Sequence, residues 1–336
     1  MKLLSVTVPC YNSQDYMERA VDSLLTGGSE IEILIVDDGS SDRTAEIADK
    51  YMRRYPDIIR AVHQENGGHG DAVMTGLKNA TGMYFKVVDS DDRVDPEALK
   101  KVVDVLKQHT EQPLDMLISN YVYDKAGADH KRVISYRGTL PQNRVFGWDE
   151  AGHFKKGRYL LMHSVIYSTE LLRRSGLSLP KHTFYVDELY VYVPLTVVER
   201  MYYLDVDLYW YYIGREGQSV QEQVLLKRID QYLLVNRLLV SEVDPFTTGN
   251  EKKRKYMLNF LEIITIASTA LLAIIGTEES SRKKTELWAY IQRTNPKTYH
   301  ALRHRCSGML AHLPGKFGRC VLTGGYRICQ HIFGFN

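Results

Sequence analysis

The chain has 336 residues, 44% of them hydrophobic and 25% charged, with a formal net charge of +2. That length supports a substantial core and more than one folding unit, and the ordinary composition excludes a disordered or fibrous chain. The near-neutral balance gives no global drive toward nucleic acid. The cysteines (Cys10, Cys306, Cys320, Cys329) show neither zinc-like pairing nor a disulfide framework, so a reducing, cytoplasmic setting fits best.

The chain opens on a strand over Leu3–Val8. Lys2 precedes Leu3-Leu4, but Ser5, Thr7 and Pro9 interrupt the apolar run, so no signal peptide is expected. Ser13 suits the cap of a helix through Leu25. Ile31–Val36 reads as a second strand, and Asp42 as the cap of a helix toward Tyr55. Ile58–Val62 is a short third strand, and the Asn66–Gly70 loop leads into a helix ending near Ala80. Met83–Val88 is the fourth strand, and Asp95-Pro96 starts a helix through Gln108. This alternation predicts a parallel sheet with helices on both faces. Ligands of such sheets bind at the carboxyl ends of the strands, where every polar cluster of this half falls.

Leu114–Tyr123 begins a less regular section of short strands and loops, reaching about Tyr212. From Val220 onward the pattern is helical only. Phe260–Ile275 is the one candidate membrane segment, but it is short for a span and carries Glu262, Thr265, Ser268 and Thr269, so a buried helix is expected.

The strongest chemical signal is Val87-Val88-Asp89-Ser90-Asp91-Asp92, an apolar strand that runs into three aspartates. Crowded carboxylates repel unless a cation neutralises them, and a hard divalent metal is the natural partner. The plainer alternative is a turn, with Asp92 or Asp95 as a helix cap. At the first strand's end, Tyr11 offers a flat face to a base and Asn12 tolerates a turn, though Pro9 and Asn12 are also ordinary turn residues. After the second strand, Asp38 can accept a base imide N–H or a ribose hydroxyl, while Asp42 is assigned to capping. Asn66-Gly67-Gly68-His69-Gly70 lets backbone approach a ligand at a helix start. It has no Walker lysine, and His69 is either a diphosphate contact or simply exposed.

Taken together, Val8-Pro9-Cys10-Tyr11-Asn12, Val36-Asp37-Asp38-Gly39-Ser40-Ser41-Asp42, Glu65-Asn66-Gly67-Gly68 and Asp89-Ser90-Asp91-Asp92 strongly resemble the family 2 glycosyltransferases. The resemblance is tight over the first hundred residues and looser to about Tyr212. It implies a GT-A fold: a mixed, mostly parallel α/β sheet flanked by helices, with an all-helical extension here. The implied organisation is a catalytic domain over 1–215 (1–108 for the nucleotide-sugar, 109–215 for the acceptor) and a helical region over 216–336. It also implies a nucleotide-sugar donor, inversion at the anomeric carbon, and Mg²⁺ or Mn²⁺ bridging the donor phosphates.

Carried over, Tyr11 packs on the base with Pro9 and Asn12 beside it, and Asp38 reads the base edge. Asn66, Gly67, Gly68 and His69 border the donor, as do Asp89 and Ser90 near ribose or sugar. Asp91 is the metal ligand, with Asp89 as the second candidate. The family's base falls in Phe184-Tyr185-Val186-Asp187-Glu188. Val186 stands where a glutamate is usual, so Asp187 is chosen as general base and Glu188 held in reserve. One of them capping a helix is the plainer alternative. His163 is a candidate for the acceptor side, or else a core histidine.

The acceptor implied is a glycan or lipid-linked hydroxyl in bacterial envelope or exopolysaccharide synthesis. Basic residues among Leu310, Leu313, Phe317, Val321, Leu322, Ile328, Ile332 and Phe333 suggest peripheral membrane contact through the C-terminal helices, at the inner face of the cell membrane. The alternative function is nucleotide-sugar binding without efficient turnover. A membrane-inserted synthase would need several spanning helices, and a nucleotidyltransferase a basic loop near Tyr11–Asp15.

Overall fold

A computed structural model describes residues 2–125, 127, 131–155, 158–214 and 221–333. Val220 and the side chains of Cys329, Ile332 and Phe333 lie outside the described residues. The chain divides into two compact units, Met1–Arg215 and Glu216–Asn336.

In the first unit the elements run β1 (Leu4–Cys10), α1 (Met17–Leu25), β2 (Ile31–Asp38), α2 (Thr44–Arg54), β3 (Ile59–Gln64), α3 (His69–Asn79), β4 (Tyr84–Val87), β5 (Arg93–Val94) and α4 (Pro96–Gln108). They continue through β6 (Met116–Lys125), β7 (Arg132–Ile134), β8 (Val145–Phe146), β9 (Val165–Ser168), α5 (Thr169–Arg174), α6 (Asp187–Tyr192) and β10 (Met201–Ile213). The sheet order is β3-β2-β1-β4-β9-β6-β10-β5, with β7 beside β6 and β8 beside β10. β3, β2, β1 and β4 are parallel, β9 is antiparallel to both its neighbours, and β10 is parallel to β6. β1 and β2 are buried along their whole length, so that even Ser5, Thr7 and Glu32 lie inside.

Two sequence expectations need correction here. α1 starts at Met17, and Ser13 does not cap it; the Ser13 hydroxyl instead accepts from the Tyr11 N–H and meets the Ser90 hydroxyl. The stretch from Met201 to Ile213 is one long strand rather than short irregular pieces. Asp95 caps α4, its side chain accepting from the Ala98 N–H at 2.9 Å, and Asp42 accepts from the Thr44 N–H at the start of α2.

The second unit is helical: α7 (Glu222–Lys227), α8 (Ile229–Glu242), α9 (Glu251–Ile275), α10 (Glu278–Thr294), α11 (Pro296–Arg303), α12 (Cys306–Ala311) and α13 (Gly315–Phe333). α9 ends at Gly276, whose φ of +67° closes the helix in the left-handed conformation. By length and composition α9 is apolar enough to cross a membrane, with a mean hydropathy of 2.0 over its best window. Its polar residues are engaged within the unit: Asn236 donates to Thr265 and Ser268, and Trp288 Nε1 donates to Thr269. Glu262 pairs with Arg305 and accepts from Ser307.

Glu32 fixes the strand ends opposite the site. One of its carboxylate oxygens accepts from the Ser5 hydroxyl, the Thr81 N–H (2.5 Å) and hydroxyl (2.9 Å), and the Gly82 N–H (3.1 Å). Its removal strands buried donors on β1 and the turn before β4. Glu32→Ala is expected to cost about 3 kcal/mol, lowering the melting temperature by roughly 6–12 °C for a unit of this size, measurable by thermal denaturation.

Candidate active site

Parallel pairing brings the ends of β1 to β4 to one edge. Cys10 pairs with Asp37, and Asp37 with His63, so Tyr11, Asp38 and the loop after Gln64 follow side by side. Tyr11 is 53% exposed. Asn12 sits at φ +48°, its N–H donating to the Ser40 hydroxyl and its side-chain oxygen accepting from the Ser41 N–H. Asp37 accepts from the Ser40 N–H and pairs with His63 at 3.1 Å.

Asp38 is buried, and its carboxylate accepts from the Gly67 and Gly68 N–H groups, both at 2.8 Å, and from the Gln64 amide at 2.7 Å. The Asn66 side chain donates to the Asp38 carbonyl. Asp38 therefore shapes the glycine loop. It keeps about one of the four acceptor positions a carboxylate offers.

The glycines serve close packing. Gly68 has φ +85°, and a Cβ there would lie 2.9 Å from the His182 backbone nitrogen. The His182 N–H donates to the Gly67 carbonyl at 2.7 Å. A Cβ on Gly70 would lie 3.0 Å from Leu179 Cβ. The loop thus holds the segment from Leu179 into α6, which carries Asp187 and Glu188. Val186 occupies the cap position of α6, and no side chain caps that helix. Tyr185, just before, has φ +67°, an uncommon conformation for an aromatic residue.

At the end of β4 the aspartates separate into different surroundings. Asp92 is fully buried; it accepts from the Tyr209 hydroxyl at 2.5 Å and the Tyr212 N–H at 2.8 Å. Burial, then the charges of Asp91 and Asp89, raise its carboxyl well above the usual range. Asp89 pairs with His69 Nε2 at 2.8 Å. Burial works against its charge, but the His69 partner outweighs it and its carboxyl is lowered. On His69, desolvation favours the neutral ring; Asp89, then Asp187 and Asp91, override it and raise its pKa. Asp91 belongs to the same charge cluster.

His163 joins this corner. One ligand atom from each of Asp89, Asp92 and His163 lies within 4.8 Å of the others. Its ring centroid is 4.6 Å from that of Tyr209 and 4.8 Å from that of Tyr211. Burial lowers its pKa to about 4, keeping it neutral, and its buried Nδ1 has no hydrogen-bond partner. A neutral imidazole with an unsatisfied nitrogen beside carboxylates fits a divalent cation. Below it, Lys86 is buried, its ammonium donating to the His163 carbonyl at 2.9 Å. Burial lowers that lysine to about 7. Burial also raises Asp187, with His69 opposing, and raises Glu188 further, with Asp187 adding to the effect.

The structure thus gathers Asp89, Asp91, Asp92, His69 and Asp187 in one electrostatic neighbourhood and adds His163 to it. Lys86, Tyr209, Tyr211 and Tyr212 were not singled out from sequence. The signal for Lys86 was a lone lysine inside the apolar Met83–Val88 run. A separate concavity of about 760 Å³, lined among others by Asn120, Arg137, Asp205, Asp207 and Trp210, lies elsewhere in this unit. Its acids already accept from Asn120, and Asp205 pairs with Arg137.

Residues 5–163 match the family described as Glycosyl transferase family 2. EpsJ of Bacillus subtilis, described as an uncharacterized glycosyltransferase, is 32% identical over 239 residues, 69% of this chain and 66% of that protein. GlyG of Streptococcus pneumoniae, described as a glycosyltransferase, is 38% identical over 128 residues, 37% of this chain and 41% of that protein. Among solved structures, residues 1–349 of Staphylococcus aureus TarS superpose with a TM-score of 0.68 at 22% identity, covering 99% of this chain and 91% of that one. Strand-end motifs, sheet order and these likenesses agree: the chain is a member of glycosyltransferase family 2. It spans just under two thirds of EpsJ and less than half of GlyG.

Because burial and neighbouring charge raise the Asp92 carboxyl, a cation binding there competes with a proton. Saturating Mn²⁺ is expected to raise the melting temperature by roughly 5 °C at pH 8. The shift shrinks as pH falls toward 5, which thermal denaturation across pH can check.

Proposed function

We propose that the chain is a metal-dependent, inverting glycosyltransferase. It moves a sugar from a nucleotide-diphosphate sugar, UDP-linked, to a hydroxyl of a glycan or lipid-linked acceptor in envelope or exopolysaccharide synthesis. The observation that carries this is the pairing of an acid-and-histidine corner at the end of β4 with a separate, half-buried carboxylate, Asp187, across His69. TarS of S. aureus is named a poly(ribitol-phosphate) beta-N-acetylglucosaminyltransferase, and its N-terminal part has been solved with UDP-GlcNAc. These descriptions support a UDP-sugar and an envelope polymer for this chain.

In this reading residues 1–108 bind the nucleotide-sugar, 109–215 form the acceptor half, and 216–336 are a helical appendage. Tyr11 stacks on the base, with Pro9 and Asn12 shaping its strand end. Asp38 offers its remaining acceptor position to the base edge while it holds Gly67 and Gly68. Asp91, Asp89, Asp92 and His163 hold the cation; a nitrogen in that set favours Mn²⁺ over Mg²⁺. When bound, the cation neutralises charge developing on the departing diphosphate. His69 anchors Asp89, and Ser90 ties the loop to Ser13. Asp187 takes the proton of the acceptor hydroxyl as it attacks the face of the sugar opposite the diphosphate. Glu188, whose carboxyl burial raises further, is less available in its ionised form and is held in reserve. The same reading places the chain at the inner face of the cell membrane, with the C-terminal helices as the contact.

Asp91→Asn is expected to abolish Mn²⁺-dependent UDP binding in calorimetry. Asp187→Asn should keep that binding and lower turnover by about 10²- to 10⁴-fold. Since burial raises Asp187, its active, ionised form is lost as pH falls through that raised value. The pH–rate profile should therefore show an acid limb above the ordinary carboxylate range. Full turnover in Asp187→Asn would remove this residue as the base. UDP binding without sugar transfer by the unaltered chain would favour a binding protein instead.

A further inference from the structure

We infer that the outer face of α13 is a docking surface for an anionic lipid bilayer, which gives a particular surface to the membrane placement proposed above and rests on it. Residues 296–336 carry Lys297, Arg303, Arg305, Lys316, Arg319 and Arg327 and no aspartate or glutamate. Arg305 and Arg327 pair with Glu262 and Glu222. Lys316 is exposed and, among the described residues, meets no carboxylate; Arg319 donates to the Gly276 carbonyl and keeps its charge.

The helix is two-sided. Gly318 and Leu322 are buried, whereas Phe317 and Ile328 are 71% and 62% exposed. At 100° per residue Phe317, Cys320, Gly324 and Ile328 share one face, with Lys316 and Arg327 along its margin. The two large apolar side chains stand about 16 Å apart along the axis. A Cβ on Gly324 or Gly325 between them would meet nothing within 4 Å, so that stretch is open. Met309 and Leu310 on α12 are 49% and 45% exposed and add to the apolar set.

Apolar side chains projecting from an exposed helix face, with the unpaired Lys316 at its margin and Arg319 on the same helix, fit an interface of acyl chains under anionic headgroups. A second copy of the same face would set like charges against each other, so lipid is the occupant this charge pattern favours.

The test uses the full chain and vesicles of phosphatidylcholine with 30% phosphatidylglycerol, against pure phosphatidylcholine, read by co-sedimentation. The expected result is binding to the anionic vesicles only, reduced at least tenfold by 0.5 M NaCl. Phe317→Ser/Ile328→Ser should also reduce it tenfold, with an unchanged circular dichroism spectrum and unchanged UDP–Mn²⁺ binding. No binding to anionic vesicles at low salt overturns both this surface and the membrane placement. Undiminished binding of the double variant overturns the α13 surface alone. Self-association of the unaltered chain in ultracentrifugation, abolished by the double variant, also overturns the lipid assignment. Vesicle binding by a chain that fails to bind UDP–Mn²⁺ would sink the glycosyltransferase reading and leave this surface standing. If the double variant unfolds, Lys316→Glu/Arg319→Glu replaces it, with the same tenfold loss expected and undiminished binding again fatal.

Discussion

Three aspartates in four residues, at the end of a buried strand, are the constraint around which the first unit is arranged. Charges this close repel strongly where water is excluded, so each is given different surroundings. Asp92 is pulled inward by a phenol and a backbone amide from β10, and burial raises its carboxyl. Asp89 is turned to a histidine and kept ionised. The register of β10 against β6 shifts between Leu204 and Tyr209, so β10 carries extra residues there. The shifts set where Tyr209 and Tyr212 fall, and both reach Asp92.

A second carboxylate, Asp187, comes from a distant part of the chain. Its position depends on an absence of side chains. Gly68 and Gly70 admit the backbone of His182 and the side chain of Leu179 at distances a Cβ would close. Positive φ at His182 and Tyr185 then turns the chain into α6. Strained backbone beside a charged residue persists only where surrounding contacts hold it; here the Gly67 carbonyl accepts from the His182 N–H, and Asp71 pairs with Lys181. The glycine loop, clamped by Asp38, thus seats the segment that leads to Asp187.

What the sequence made legible was local. The apolar runs of β1, β2 and β4, the Asp95-Pro96 cap and the polar strand ends all follow from residues near one another in the chain. The class of fold and the Asp89–Asp92 corner were readable for that reason. The sequence leaves His163 as an acceptor-side or a core histidine, because nothing local ties it to Asp89, some seventy residues earlier; its ring lies beside Asp89 and Asp92 and stacks on Tyr211. The tyrosines after Tyr185 were unreadable one by one, since a buried phenol with a partner and a packing phenol share the same sequence signature. Asp38 looked like a pure ligand contact. Its clamp on Gly67 and Gly68 required knowing that β2 and β3 end side by side.

The charge balance of the corner gives the last step. Asp89, Asp91, Asp92, Asp187 and Glu188 are five acids in linked surroundings, and the cations near them are few. His69 is raised by its acidic neighbours, Lys86 is lowered by burial to about 7, and burial lowers His163 to about 4. Burial raises the carboxyls of Asp92, Asp187 and Glu188, which eases that imbalance by favouring their neutral forms. A divalent cation among Asp89, Asp91, Asp92 and His163 would lower the acids around it, releasing protons as it binds. Asp89 and Asp187 both act on His69, so a charge change at Asp89 reaches Asp187 through that ring without movement of the backbone.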